Sequence, residues 1–206
     1  MSRVPTLTAF FAVCVCLGCS PDVSVPTPQR AVDPEEAKDS VNPDSTAPAK
    51  LTLTSPSFRS GAPIPKRHTA DGENRSPPLA LAHVPTATKE LALICEDPDA
   101  PTPQPWVHWV IYKIPPDTRT LPEGIPHPAN LRIPEGAVQG ANSWGADSLG
   151  YRGPDPPKGK LHHYHFHLYA LDAPLDVKSG LDKNGLVAAM KSHIVADAEI
   201  VGTYQR

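Results

Sequence analysis

Cysteine is nearly missing from the body of the chain: Cys14, Cys16 and Cys19 lie within the first twenty residues, and Cys95 stands alone beyond them. If the chain is processed before Cys19, no internal disulfide framework is available unless Cys19 itself pairs, and the fold is then held by its core. Basic runs are missing too. Lys and Arg number 19 against 22 Asp and Glu, for a net charge of −3. No basic stripe appears, which excludes a nucleic-acid surface. Helical periodicity is scarce, no internal repeat is present, and the 27 prolines favour loops, edges and turns over an all-helical protein.

What is there begins with a targeting segment. Residues 1–18 carry one basic residue, Arg3, and then an apolar run over 7–17 that is too short to span a bilayer comfortably. The run ends in Leu17-Gly18-Cys19-Ser20, which resembles a bacterial lipoprotein signal. That resemblance implies cleavage before Cys19, lipidation of Cys19, and an exported protein anchored to a membrane of the cell envelope. Residues 19–50 are rich in Pro, Ser, Thr, Asp and Ala. They bury too little apolar surface to offset chain entropy and are expected to form an extended tether.

The folded part is expected over residues 51–206. Strands are predicted at 51–54, from its alternation, at 79–82, and at 89–96, a continuous apolar run between polar ends. A further strand is predicted over 106–114, where a period of two puts Trp106, His108, Val110 and Tyr112 on one face and Val107, Trp109 and Ile111 on the other. Residues 115–157 read as a long irregular excursion rich in Gly and Pro, a kind of loop that is usually functional. A histidine-rich strand follows at 162–169. The convincing helix lies near the C-terminus, capped by Asp182 or Asn184, with Leu186, Met190 and Ile194 at four-residue spacing beside Ala189 and His193. A last strand is expected at 198–204. Cys95, inside an apolar run, reads as a buried small hydrophobe.

Alternation also sorts the candidate chemistry. Along the histidine strand, His162, Tyr164, Phe166 and Leu168 share one face, and His163, His165, His167 and Tyr169 the other. The first face mixes hydrogen-bonding groups with apolar walls. Imidazoles at His108 and His162, neutral or protonated, and the Tyr164 hydroxyl are expected to donate to one anion, such as phosphate. Asp97 or Asp99 would accept from an imidazole, and a free carboxylate of the pair would suit an ammonium group. The second face offers His163, His165 and His167 as the rival, a strand-borne metal site, with no fourth ligand obviously placed to complete it. Catalysis is harder to support: Ser143 lacks the strand-to-helix setting of an esterase nucleophile, and Pro98 between Asp97 and Asp99 makes a rigid turn rather than an acid/base pair.

The run Asp97-Pro98-Asp99-Ala100-Pro101, then Trp106-Val107-His108-Trp109, Gly150-Tyr151, Gly153-Pro154, Pro156-Pro157, Gly159 and His162-His163-Tyr164 resembles, in order and spacing, the phosphatidylethanolamine-binding protein family. The bacterial Raf kinase inhibitor-like branch is the nearer likeness, through Gly72-Glu73-Asn74-Arg75-Ser76-Pro77 and Gly202-Thr203-Tyr204-Gln205-Arg206. The resemblance implies a mainly β fold, a sandwich with a large central antiparallel sheet, a smaller sheet on one side and helices on the other. It implies an anion pocket at Asp97, Asp99, Pro101, His108, Pro156, Pro157, His162 and Tyr164. His163, Arg152 and Ser143-Trp144 depart from the usual residues and alter the rim.

The combined expectation is a non-catalytic, lipid-anchored binding module for a phosphoryl or other small anionic headgroup, with no resident metal or cofactor. The alternative is an inhibitor-like protein that engages a protease, kinase or other partner of the cell envelope.

Overall fold

The computed structural model describes residues 50–127 and 130–206, which belong to the compact unit Thr46–Arg206. The expected signal segment, Cys19 and all but the last residue of the expected tether lie outside the described residues.

Where they are long enough to show one, the strands follow two patterns, alternation of apolar residues at every second position, as along His162–Leu171, and short continuous apolar runs, as along Glu90–Asp97. In chain order they are β1 (Thr52–Thr54), β2 (Leu79–Ala82), β3 (Glu90–Asp97), β4 (Trp106–Ile114), β5 (Thr120–Leu121), β6 (Asn130–Arg132), β7 (Glu135–Gln139), β8 (Ala141–Asn142), β9 (Gly145–Leu149), β10 (His162–Leu171) and, after helix α1 (Lys183–Met190), β11 (Ile194–Tyr204). The large sheet runs β11-β10-β3-β4-β7-β6, entirely antiparallel; β1-β2-β5 form a smaller sheet and β8-β9 a hairpin. This is the mainly β, two-sheet architecture expected, with a helix near the C-terminus.

Two cores sandwich the large sheet. On one face Leu93, Cys95, Trp109, Phe166 and Leu168 pack with Leu53, Leu79 and Leu81 of the small sheet. On the other, Ile94, Val110 and Tyr112 pack with Leu186 and Met190 of α1. A strand covered on both sides has no polar alternation to show, which explains the unbroken apolar run of β3. Asp182 caps α1, its carboxylate accepting from the Gly185 N–H at 2.8 Å.

Four sequence expectations are corrected. The helix stops at Met190, because Ile194 and its β-branched neighbour Val195 open β11, where Ile194 pairs with Leu171. Consequently β11 starts four residues earlier than expected. The stretch 115–157 is not irregular: it holds β5 to β9, and β7 pairs with β4 to extend the large sheet. These strands, of two to five residues, are too short to carry a readable period.

The fourth correction bears on function. The β3–β4 register slips between Cys95, opposite Trp109, and Glu96, opposite Val107. The slip makes His108 the extra residue of a bulge, which re-aims its side chain. Val107 therefore packs with Val110 and Tyr112, whereas His108 leaves the face they share and meets Tyr164 with ring centroids 5.0 Å apart.

Candidate functional site

Because β4 and β10 both run antiparallel to β3, they begin where β3 ends. Asp97 at the end of β3, Trp106 and His108 at the start of β4, and His162 and Tyr164 at the start of β10 therefore converge at one edge of the large sheet. They line a cavity of about 220 Å³ together with Pro101, Trp144, Pro156 and Pro157. Of the eight expected pocket residues, seven line this cavity. The exception is Asp99.

Asp97 and His162 form the floor. Their side chains are only 4% and 3% exposed, with His162 Nδ1 2.7 Å from Asp97 Oδ2. The other oxygen of Asp97 accepts the Asp99 N–H at 2.8 Å, the Asx turn that the Asp-Pro-Asp sequence favours. Both oxygens of Asp97 are thus engaged. Asp99 turns outward, bonding His163 Nδ1 at 2.7 Å and Lys160 Nζ at 3.1 Å. Its pKa falls to about 2, chiefly through the bond from His163. Neither carboxylate is left free for a ligand ammonium in the way the sequence had suggested.

His108 corrects a second expectation. Its Nδ1–H donates to the Arg152 carbonyl at 2.6 Å. Burial lowers its pKa to about 4, outweighing the backbone bond and the nearby Asp97, which pull the other way. The ring is therefore neutral at pH 7, and in this tautomer Nε2 carries a lone pair. It accepts a proton rather than donating one.

Tyr164 supplies the donor. The residue is 1% exposed, and its hydroxyl has no hydrogen-bond partner in the protein. Burial, with a further contribution from Asp97, raises its pKa well above the usual phenol value, so the proton stays on. A buried hydroxyl left unpaired in a cavity wall is a costly arrangement for the empty protein.

The rim is aromatic. Trp106 and Trp144 meet edge to face at 5.4 Å, Trp144 lies 5.1 Å from the His108 ring, and the Arg152 guanidinium sits 4.8 Å over Trp144. The sequence named Ser143-Trp144 as an alteration of the rim, without assigning Trp144 to the cavity lining. The structure shows what holds it there: Ser143 exchanges two hydrogen bonds with Val107, its N–H donating to the Val107 carbonyl and its Oγ accepting the Val107 N–H. That pairing docks the β8-β9 turn against β4. It also gives the Ser143 hydroxyl a structural task in place of a nucleophilic one.

The proline wall is held from outside. The Tyr151 hydroxyl donates to the His68 carbonyl at 2.6 Å, and the Gly153 N–H donates to Asn74 Oδ1 at 2.7 Å. A Cβ on Gly153 would stand 2.2 Å from the His68 carbonyl oxygen, so only glycine lets the two backbones approach this closely. At the far end the last residue takes part, Arg206 bonding Asp155 at 2.5 Å and Asp71 at 2.8 Å. The 72–77 and 202–206 motifs flank the segments that brace the wall, which accounts for their presence far from the cavity. Cys95 is buried, its thiol pKa raised by desolvation, and is a core residue as expected.

Comparison with known proteins agrees with this architecture. The family model described as phosphatidylethanolamine-binding protein matches residues 54–205. A UPF0098 protein of Methanothermobacter thermautotrophicus is 48% identical over 156 residues, which span 76% of this chain and 99% of the relative. Among solved structures, a phosphatidylethanolamine-binding protein homologue from Chlamydia trachomatis superposes with a TM-score of 0.68 at 41% identity, over 76% of this chain and 98% of its own. YbcL of E. coli, described as a member of the mammalian family, gives 0.69 at 34% identity over 77% and 99%. With one family model covering most of the chain and relatives matched over nearly their full length, the chain belongs to the phosphatidylethanolamine-binding protein family.

Proposed function

We propose that the cavity holds a small phosphorylated headgroup without converting it, in a protein exported to the cell envelope and anchored there through Cys19. The observation that carries this reading is the Tyr164 hydroxyl, a buried donor without a protein partner on a residue that lines the cavity. A phosphoryl oxygen supplies the missing acceptor. The neutral His108 refines the choice, because its Nε2 lone pair accepts from a protonated phosphate oxygen, so the monoanion fits better than the dianion. His162 and Asp97, already paired, offer a polar floor. At about 220 Å³ the cavity is smaller than the roughly 300–1,000 Å³ of sites for drug-sized ligands, in keeping with a headgroup rather than a whole lipid. Against catalysis stand Ser143, bonded to the backbone, and Cys95, sealed in the core.

Calorimetric titration with phosphate and with phosphoethanolamine tests the reading, comparing the wild type with His108→Ala and His162→Ala. The wild type is expected to bind and both variants to bind more weakly. Affinity tightens as pH falls from 7 to 5, since proton uptake by phosphate favours the monoanion, whose own proton the His108 lone pair accepts. Equal binding by all three proteins would refute the site.

A further inference from the structure

On the opposite face of β10 lies a second cluster, which the cavity does not use. The trio His163, His165 and His167 does not survive folding as a trio: His163 turns to Asp99. His165 and His167 stay together, rings stacked with centroids 5.8 Å apart and planes 20° from parallel. The carboxylate that the sequence did not reveal comes from β11. Glu199 is the ladder partner of His167, and its Oε1 lies 2.7 Å from His165 Nδ1 and 3.5 Å from His167 Nδ1.

The geometry points to a binding site for a divalent transition-metal ion, Zn²⁺ or a close relative, formed by His165, His167 and Glu199. Their ligand atoms lie within 4.8 Å of one another. Ligands held tetrahedrally about 2.0–2.2 Å from an ion sit about 3.3–3.6 Å apart. Side-chain rotation alone closes that difference, while the paired strands β10 and β11 hold the backbone fixed. Two imidazole nitrogens and one carboxylate oxygen form a set that favours Zn²⁺, Cu²⁺ or Ni²⁺ over Mg²⁺ or Ca²⁺.

Two neighbours support the assignment. Glu96 Oε1 is 3.8 Å from His167 Nε2, a carboxylate that a small side-chain rotation brings within hydrogen-bond reach of the outer nitrogen, leaving Nδ1 to the metal. Lys183, the nearest cation on α1, is taken up by its own contact with Glu96. The histidine side chains are 29% exposed and that of Glu199 41%, so an ion can enter and water can complete its coordination. The face is closed by α1 only further along, where Tyr169 and Ile94 join the second core.

The test is calorimetric titration of ZnCl₂ into the full chain, purified without a polyhistidine tag, stripped with chelator, and alkylated at its accessible thiols, Cys95 being sealed in the core, so that only nitrogen and oxygen ligands are open to the ion. One ion per chain is expected, with affinity lowered at least about tenfold in His165→Gln, His167→Gln and Glu199→Gln and unchanged in His163→Gln. Circular dichroism checks that each variant folds. The visible absorption of bound Co²⁺ should disappear in the same three variants. Unaltered Zn²⁺ affinity in His165→Gln and Glu199→Gln, an equal loss in His163→Gln, or no stoichiometric uptake by the wild type would overturn the proposal.

Discussion

Replacing Tyr164 by Phe removes one oxygen atom and is expected to act in opposite directions on fold and ligand. In the empty protein the hydroxyl is buried without a protein partner, and an unsatisfied buried polar group costs about 1–3 kcal/mol. Removing it therefore leaves stability unchanged, where cavity water serves as partner, or raises it by up to that amount. For a folded part of this size each kcal/mol moves the Tm by about 2–4 °C. In the phosphate complex the same hydroxyl donates to a charged oxygen, a bond worth about 1.5–3 kcal/mol, so affinity falls about 10- to 150-fold. Thermal unfolding with and without phosphate reads both effects. Without ligand the variant should melt at or above the wild type; with phosphate at many times the wild-type Kd, the wild type should gain far more. A variant destabilised by more than about 1 kcal/mol without ligand, or stabilised by phosphate as much as the wild type, would refute the reasoning.

Acid sensitivity should centre on His108. Its pKa is about 4 folded against about 6.5 unfolded, so between those values the unfolded chain binds the extra proton, and this contribution is complete above pH 6.5 and lost as pH falls towards 4. Urea unfolding should show about 3 kcal/mol less of this loss in His108→Gln than in the wild type; equal losses would place the sensitivity elsewhere. Gly153→Ala, forced against the His68 carbonyl, should cost about 1–3 kcal/mol and weaken phosphate binding by shifting the proline wall, whereas a wild-type melting curve would show the backbone contact to be looser than 2.2 Å implies.

How far the chain announced this arrangement depends on the range of the interactions involved. Strand β4 was legible to the residue because its apolar run is long and bounded by prolines, and both faces of β10 were legible because a period of two needs no partner to be seen. The bulge at His108 was not legible, since it exists only as a mismatch in the register between two strands. That one slip carries His108 off the face shared by Val110 and Tyr112 and into the cavity. The proton state of His108 was hidden for a related reason: the sequence leaves a histidine beside aspartates open to either form, and it is burial, outweighing Asp97, that leaves it neutral. Glu199 was unreadable as a ligand because the link to His165 and His167 spans more than thirty residues and depends on the β10–β11 pairing. Residue types and alternation thus named most of the cavity wall in advance. What they could not supply was which groups donate and which accept, because that is decided by partners brought together only in the fold. The difference matters for specificity: a pocket of three donors would favour the most highly charged phosphate, whereas one donor opposite one lone pair selects a phosphate that carries its own proton.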